Sequence, residues 1–130
     1  MSADYPSMTT AEIRSKFLNF FEERGLKLYP SSSLVPDDPS LLLANAGMDQ
    51  FKEYYQGKKT MKEIGAISCQ KCVRTNDIDC IGEDGRHLSF FEMLGDFSFG
   101  GVSKQQACAW AFELITKELK LPLDRLFFSV

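Results

Sequence analysis

Apolar positions along the chain switch between a helical and a strand period, and glycine or proline punctuates most of the switches. Ile13, Phe17, Phe20 and Phe21 recur at i, i+4, i+7 and i+8, the spacing of one helix face. This predicts a first helix over 9–24. Thr9, with Glu12 three residues on, forms a capping box, and Gly25 is the expected stop because glycine takes the left-handed conformation without penalty. Leu26 to Tyr29 alternates and predicts a short strand. Pro30 to Pro39 holds three prolines and three consecutive serines, so it predicts an irregular connection. Leu41 to Leu43 predicts a short buried strand, Asn45-Ala46-Gly47 a turn, and Met48 to Tyr55 a helix ended by Gly57.

The second half is organised around residues 69–100. Residues 66–74 and 87–99 predict two antiparallel strands around a polar, acidic loop, Thr75 to Gly85. Asn76-Asp77 and Asp84-Gly85 are turn signals within it, and Gly95 reads as a break near the end of the second strand. Ser103 and Gln106 predict a capped last helix, with Ala107, Trp110, Ala111, Leu114, Ile115 and Leu119 as its apolar face and Pro122 as its stop. Leu126 to Val130 reads as a strongly apolar strand, and its apolar ending has the look of a cut between two elements. The expected fold class is α/β of the α+β kind: an antiparallel sheet flanked by helices, with the first and last helices packed on it.

Composition narrows the class. With 130 residues, 44% hydrophobic and 25% charged, the chain can bury a core as one soluble domain. A net charge of −3 argues against a broad electrostatic platform for nucleic acid, though not against a local site. Charge is segregated: Lys58, Lys59, Lys62, Lys71 and Arg74 precede a loop carrying Asp77, Asp79, Glu83 and Asp84. Most of these are expected to be solvated surface. No apolar run approaches the roughly 20 residues of a membrane span. Residues 1–8 are polar and contain a proline, unlike a signal peptide, and are expected to be a disordered tail. Four cysteines without a disulfide framework make the cytoplasm the expected compartment.

The central hairpin carries the candidate chemistry. Arg74 lies near the end of one strand and Arg86 near the start of the next, with Phe90 and Phe91 just behind. A guanidinium matches two phosphate oxygens at once, and an aromatic nearby can stack on a purine. The pattern is that of a nucleotide clamp on a sheet. Cys69, Cys72, Cys80 and His87 are a competing set of zinc ligands. Against them, Cys69 and Cys72 are three apart in a strand, where side chains point to opposite faces. A redox pair there lacks a helix N-terminus to lower the thiol pKa.

Arg74 followed by Arg86-His87-Leu88-Ser89-Phe90 resembles motif 2 of class II aminoacyl-tRNA synthetases. QKCVRTND, RHLSFFEMLG, DFSFG, SSSLVP at 31–36 and NAGMDQFK at 45–52 are similar to the catalytic domain of the alanyl-tRNA synthetase family. The first helix and the strand after it resemble motif 1. The resemblance makes 9–130 the N-terminal portion of that domain, an incomplete class II core with motifs 1 and 2. Its glycine-rich motif 3, with a second adenine-stacking arginine, does not occur in these residues.

The resemblance implies ATP, Mg2+ and alanine as ligands, and tRNA(Ala) as a partner mainly through parts absent here. It implies that Arg74 holds the α-phosphate and the substrate carboxylate, and that Arg86 faces the outer phosphates with His87 near. It further implies that Phe90 stacks on adenine, that Glu92 faces the adenine end or a magnesium-linked water, and that Met48 walls the amino-acid pocket. Each has a plainer alternative. Arg86 could pair only with Asp84 or Glu83, Phe90 or Phe91 must pack the sheet, and methionine is a common core filler. The chain also departs from the family. Thr75 leads straight to Asn76-Asp77 without the Gly-Gly-Lys-His run, Leu88 replaces a second histidine, and Gly100-Gly101-Val102-Ser103-Lys104 lacks the family's aromatics. A non-catalytic synthetase-like module that binds a nucleotide or a partner stays open, as does a structural zinc domain. A truncated sheet would expose an edge that favours association between chains.

Overall fold

A computed structural model describes residues 7–76 and 78–129. Most of the expected tail, together with Asp77 and Val130, lies outside them. Helix α1 spans Thr10–Glu22. Its capping box forms: the Glu12 amide donates to Thr9 Oγ1 at 3.2 Å and the Thr9 amide to Glu12 Oε2 at 2.7 Å. It ends where Gly25 takes φ +88°, letting the Leu26 amide reach back to the Phe21 carbonyl at 3.2 Å.

That turn feeds strand β1, Lys27–Leu28, parallel to β2, Gly65–Val73. Strand β3, Phe90–Ser98, pairs antiparallel with β2, and the sheet order is β1-β2-β3. The antiparallel hairpin is as expected, and β1 makes the sheet mixed.

Because side chains alternate across a pleat, the register sorts the two strands onto two faces. Ile67, Cys69 and Lys71 oppose Asp96, Leu94 and Glu92 on one; Ser68, Gln70 and Cys72 oppose Gly95, Met93 and Phe91 on the other. The first face carries the main core, where Phe17, Phe20, Phe21 and Leu26 close over Ile67 together with Leu114. Phe21 is 2% exposed, and truncating such a ring to alanine costs about 3–5 kcal/mol.

The second face is covered by Phe51. It comes from the 3-10 turn Asp49–Phe51 that leads into the short helix α2, Lys52–Tyr55. Its ring centroid lies 4.8 Å from Phe97 and 5.4 Å from Tyr29. Gly95 does not break β3, contrary to expectation. A Cβ there would stand 2.6 Å from the Phe97 ring, so its bareness makes room for that ring.

Helix α3, Lys104–Glu113, is capped by Ser103, whose Oγ accepts from the Gln106 amide at 3.2 Å. It continues into a π-helical turn, Leu114–Glu118. The last helix was expected to lie on the sheet. It leans instead mainly on α1: Trp110 stands 6.4 Å from Phe21, and Arg24 Nη2 bonds Glu113 Oε2 at 2.9 Å. Of its predicted apolar face only Leu114 is buried; Ala107 and Ala111 are exposed.

Two predicted strands do not form. Residues 41–43 bend, because Asp38 Oδ1 takes the Ser40 amide and the Leu41 amide bonds the Asp38 carbonyl, and Leu42 is left exposed. Residues 126–129 have no strand to pair with among the described residues, and Phe127 is 96% exposed. No helix is long and apolar enough to cross a membrane among the described residues.

Candidate functional site

Arg74 follows directly on β2, and its amide extends the ladder by donating to the Ser89 carbonyl at 3.0 Å. Its side chain lies on the Cys72 face. The guanidinium carbon stands 5.3 Å from the Phe91 ring centroid, and Nε donates to the Asn45 carbonyl at 3.1 Å. One donor edge is thus used to fix the side chain, while the terminal nitrogens keep the planar fork that suits an oxyanion.

The Asn45 carbonyl is itself held. Asp49 Oδ2 accepts the Asn45 and Ala46 amides at 2.9 and 3.0 Å, and the Ala44 carbonyl takes the Val73 amide at 2.9 Å. The NAGM turn is therefore pinned to the end of β2 beside Arg74. The Gly47 amide meets Met93 Sδ at 3.2 Å, so this turn also rests on β3. Met48 is 49% exposed and is not a core filler. It stands on the surface next to Gly47, at the margin of the same face.

Gln70 ties in the serine-rich segment. Fully buried, it accepts from the Ser32 amide at 2.8 Å and from Gln50 Nε2 at 3.1 Å through Oε1, and donates to the Ser32 carbonyl at 3.2 Å and the Lys71 carbonyl at 2.8 Å. Ser31 Oγ accepts the Lys71 amide at 3.1 Å. Segments far apart in sequence, 31–33, 45–49, 70–74 and 91–93, meet on one face of the hairpin. Sequence reasoning missed Gln70, Asn45 and Asp49 as its framework. A glutamine at an inward-facing position of a largely apolar strand was the available signal.

Arg86 and His87 stand at the same end of the hairpin, before Ser89. Asp84 organises them: Oδ1 accepts the Arg86 amide at 2.9 Å and the His87 amide at 3.0 Å, and Oδ2 faces His87 Nδ1 at 2.5 Å. These bonds, led by the Arg86 amide, hold the Asp84 carboxyl down at about 2. Arg86 meets Asp84 through its backbone; no ion pair of its guanidinium is recorded among the described residues.

Phe90 and Glu92 share a face as expected, but it is the face of α1 and not that of Arg74. Glu92 Oε2 takes two bonds from Arg14, from Nη2 at 2.6 Å and Nε at 3.1 Å, which hold its carboxyl below the ordinary glutamate range. The reason is register: β2 pairs its even positions with odd positions of β3, so Phe91 and not Phe90 stands beside Arg74.

Cys69 faces α1 and Cys72 the opposite side, where burial pushes the Cys72 thiol pKa up. Among the described residues no group of three or more His, Cys, Asp or Glu side chains is placed to hold a metal. A cleft of about 710 Å³ lies apart from Arg74, between the 32–41 connection and α2. Its walls mix apolar side chains such as Val35 and Leu41 with paired charges, Lys52 on Asp38 and Lys59 on Glu53, each at 2.5 Å. The Arg74 face has the better chemistry for an anionic ligand, a guanidinium fixed through Nε beside an aromatic ring.

The chain is similar to proteins of one family. The family model of class II (A) tRNA synthetases matches residues 12–130. The chain is 56% identical over 118 residues to the alanine–tRNA ligase, chloroplastic/mitochondrial, of Sorghum bicolor, covering 91% of the chain and 12% of that relative. It is 51% identical over all 130 residues to the alanine–tRNA ligase of Synechocystis, 15% of that protein's length. The enzyme of Pseudothermotoga lettingae is 52% identical over 123 residues, 95% of the chain and 14% of that relative. The chain thus spans 12–15% of the length of these three relatives. The hairpin with its anchored arginine and the match over nearly all of its length place this chain in the class II (A) tRNA synthetase family.

Proposed function

We propose that the chain is the N-terminal part of the catalytic domain of an alanine–tRNA ligase. Such an enzyme joins alanine to ATP as alanyl-adenylate and passes the alanyl group to tRNA(Ala). The observation that carries this reading is Arg74, buttressed by the Asn45 carbonyl, with its guanidinium over Phe91. A fixed guanidinium there binds the α-phosphate and the substrate carboxylate together and stabilises the charge that develops as they join. Arg86 and His87 serve the outer phosphates. We assign the adenine-facing ring to Phe91 in place of Phe90, because it lies on Arg74's face. Met48 borders the amino-acid pocket.

Mg2+ enters this reading only as the counter-ion of ATP. Among the described residues no acidic cluster is placed to hold it, and Glu92 is committed to Arg14. We place the activity in the cytoplasm; the Sorghum relative carries an organellar name. Recognition of tRNA(Ala) is assigned mainly to segments beyond these 130 residues. The outer edge of β3 has no strand partner among the described residues, which favours association between chains. Sedimentation of the purified chain over a concentration series reads that directly.

The test of the reaction is alanine-dependent exchange of pyrophosphate into ATP. The 130-residue chain should be nearly inactive beside a longer polypeptide that includes motif 3, because in-line attack depends steeply on positioning. Comparable specific activity in both would overturn this account of the site. Exchange absent from both, with nucleotide still bound, would favour the non-catalytic binding module.

A further inference from the structure

Two consecutive peptide units of the 44–46 segment are each held at both ends. In the first, the Ala44 carbonyl accepts the Val73 amide at 2.9 Å, and the Asn45 amide donates to Asp49 Oδ2 at 2.9 Å. In the second, the Asn45 carbonyl accepts Arg74 Nε at 3.1 Å, and the Ala46 amide donates to the same Oδ2 at 3.0 Å. The C=O and N–H of a trans peptide point in opposite directions. One carboxylate oxygen that gathers both N–H groups therefore turns both carbonyls toward the end of β2. Asn45 and Arg74 are 29 positions apart, so the chain of bonds leaves the turn and ends on the group assigned to the α-phosphate. The bond from Nε leaves the terminal nitrogens of Arg74 as the fork that meets the ligand. Polarisation adds to position: a carboxylate at the N–H end of a peptide makes the carbonyl at its other end a stronger acceptor.

We propose that Asp49 is a positioning residue of the anion site: through the 44–46 peptides it aims the Asn45 carbonyl at Arg74 Nε and so sets the guanidinium for the phosphates of ATP. The proposal rests on the reading of this face as the ATP site. It gives an anion a favourable part in binding an anion. By charge alone, removing a carboxylate near the site should tighten binding of a polyphosphate. By position, removing it weakens binding.

Titration calorimetry of the 130-residue protein, with ATP and with inorganic tripolyphosphate, compares wild type, Asp49→Ala, Asp49→Asn, Arg74→Ala and the double variant. Asp49→Ala should lower affinity for both ligands about five- to tenfold, the scale of one net hydrogen bond. Asp49→Asn keeps an acceptor oxygen for the two amides and should regain most of that loss without exceeding wild type. In the Arg74→Ala background, Asp49→Ala should cost nothing further, because the Asn45 carbonyl has no guanidinium to hold. A second readout is direct. The Arg74 Nε–H resonance, identified by its disappearance in Arg74→Ala, should exchange slowly with water in wild type and faster in both Asp49 variants.

Affinity unchanged or higher in Asp49→Ala, or above wild type in Asp49→Asn, would overturn the proposal. So would an equal loss with and without Arg74, the mark of a merely structural role. Backbone amide spectra report whether each variant folds. If Asp49→Ala does not, Asp49→Asn carries the test: faster Nε–H exchange with affinity no higher than wild type supports the role, and unchanged exchange or tighter binding overturns it. Failure of the ATP reading looks different: wild type would bind neither ligand, or Arg74→Ala would bind both as well as wild type, while Nε–H exchange still depended on Asp49.

Discussion

Arg74, just past the end of β2, and Phe91 on β3 lie side by side with the guanidinium 5.3 Å from the ring centroid, a cation–π distance, and the arginine's Nε tied to the Asn45 carbonyl. The pair makes one surface that is cationic at one end and aromatic at the other. A nucleotide has the complementary ends.

Arg74→Ala should weaken ATP binding by roughly 1.5–3 kcal/mol, the value of a hydrogen bond to a charged group. Lys71→Ala should matter far less, because Lys71 is exposed, lies on the opposite face, and offers screened attraction only. Titration calorimetry with ATP, in this chain and in a longer catalytic polypeptide, compares them. Equal losses would remove Arg74 from its role.

Phe91→Ala should lower affinity for the adenine moiety by about 1–3 kcal/mol, the measured scale of base–aromatic stacking. Phe90→Ala should leave it nearly unchanged, since that ring lies on the α1 side and is 53% exposed. Competition between ATP and inorganic tripolyphosphate isolates the base term. A larger loss in Phe90→Ala would mean that the register here does not describe the nucleotide-bound hairpin.

Gln70→Leu is nearly isosteric but strands the Ser32 amide and carbonyl. A buried group left without its partner costs about 1–3 kcal/mol. Urea denaturation should show that loss, and hydrogen exchange should show faster opening at Ser32 and Lys71. A variant as stable as the parent would mean that water replaces Gln70 readily.

The four thiols should divide in a labelling experiment at neutral pH. Cys80 and Cys108 are exposed and should react first. Cys72 is fully buried, and its raised thiol pKa keeps it protonated, so it should react only after unfolding. Cys69, half-buried between α1 and the sheet with its pKa also raised by burial, should follow the exposed pair. Mass spectrometry of partially labelled protein reads the order. Early modification of Cys72 would contradict the packing of the Arg74 face.

The elements with a local cause were legible in the sequence. Thr9, Glu12 and Gly25 bound α1 through contacts within a few residues of each other, and they do so as the spacing predicts. The hairpin was legible too, because turn residues and alternation are local, and so was Arg74 as its leading cation. The words NAGM, QKCVR and FFEM signalled a family without saying which side chains would meet.

Tertiary structure decided the rest, through register and partners. Alternation along β3 says that Phe90 and Phe91 face opposite ways, but only the pairing of Cys72 with Phe91 says which one joins Arg74. Glu92 found Arg14, 78 positions away, and no local pattern announces such a partner. Residues 41–43 and 126–129 have strand-like composition, yet a strand exists only where a neighbour completes its hydrogen bonds. The first is diverted by Asp38, and the second finds no strand among the described residues. Sequence determines a segment's preference; the hydrogen-bond partner that realises it is supplied by the fold.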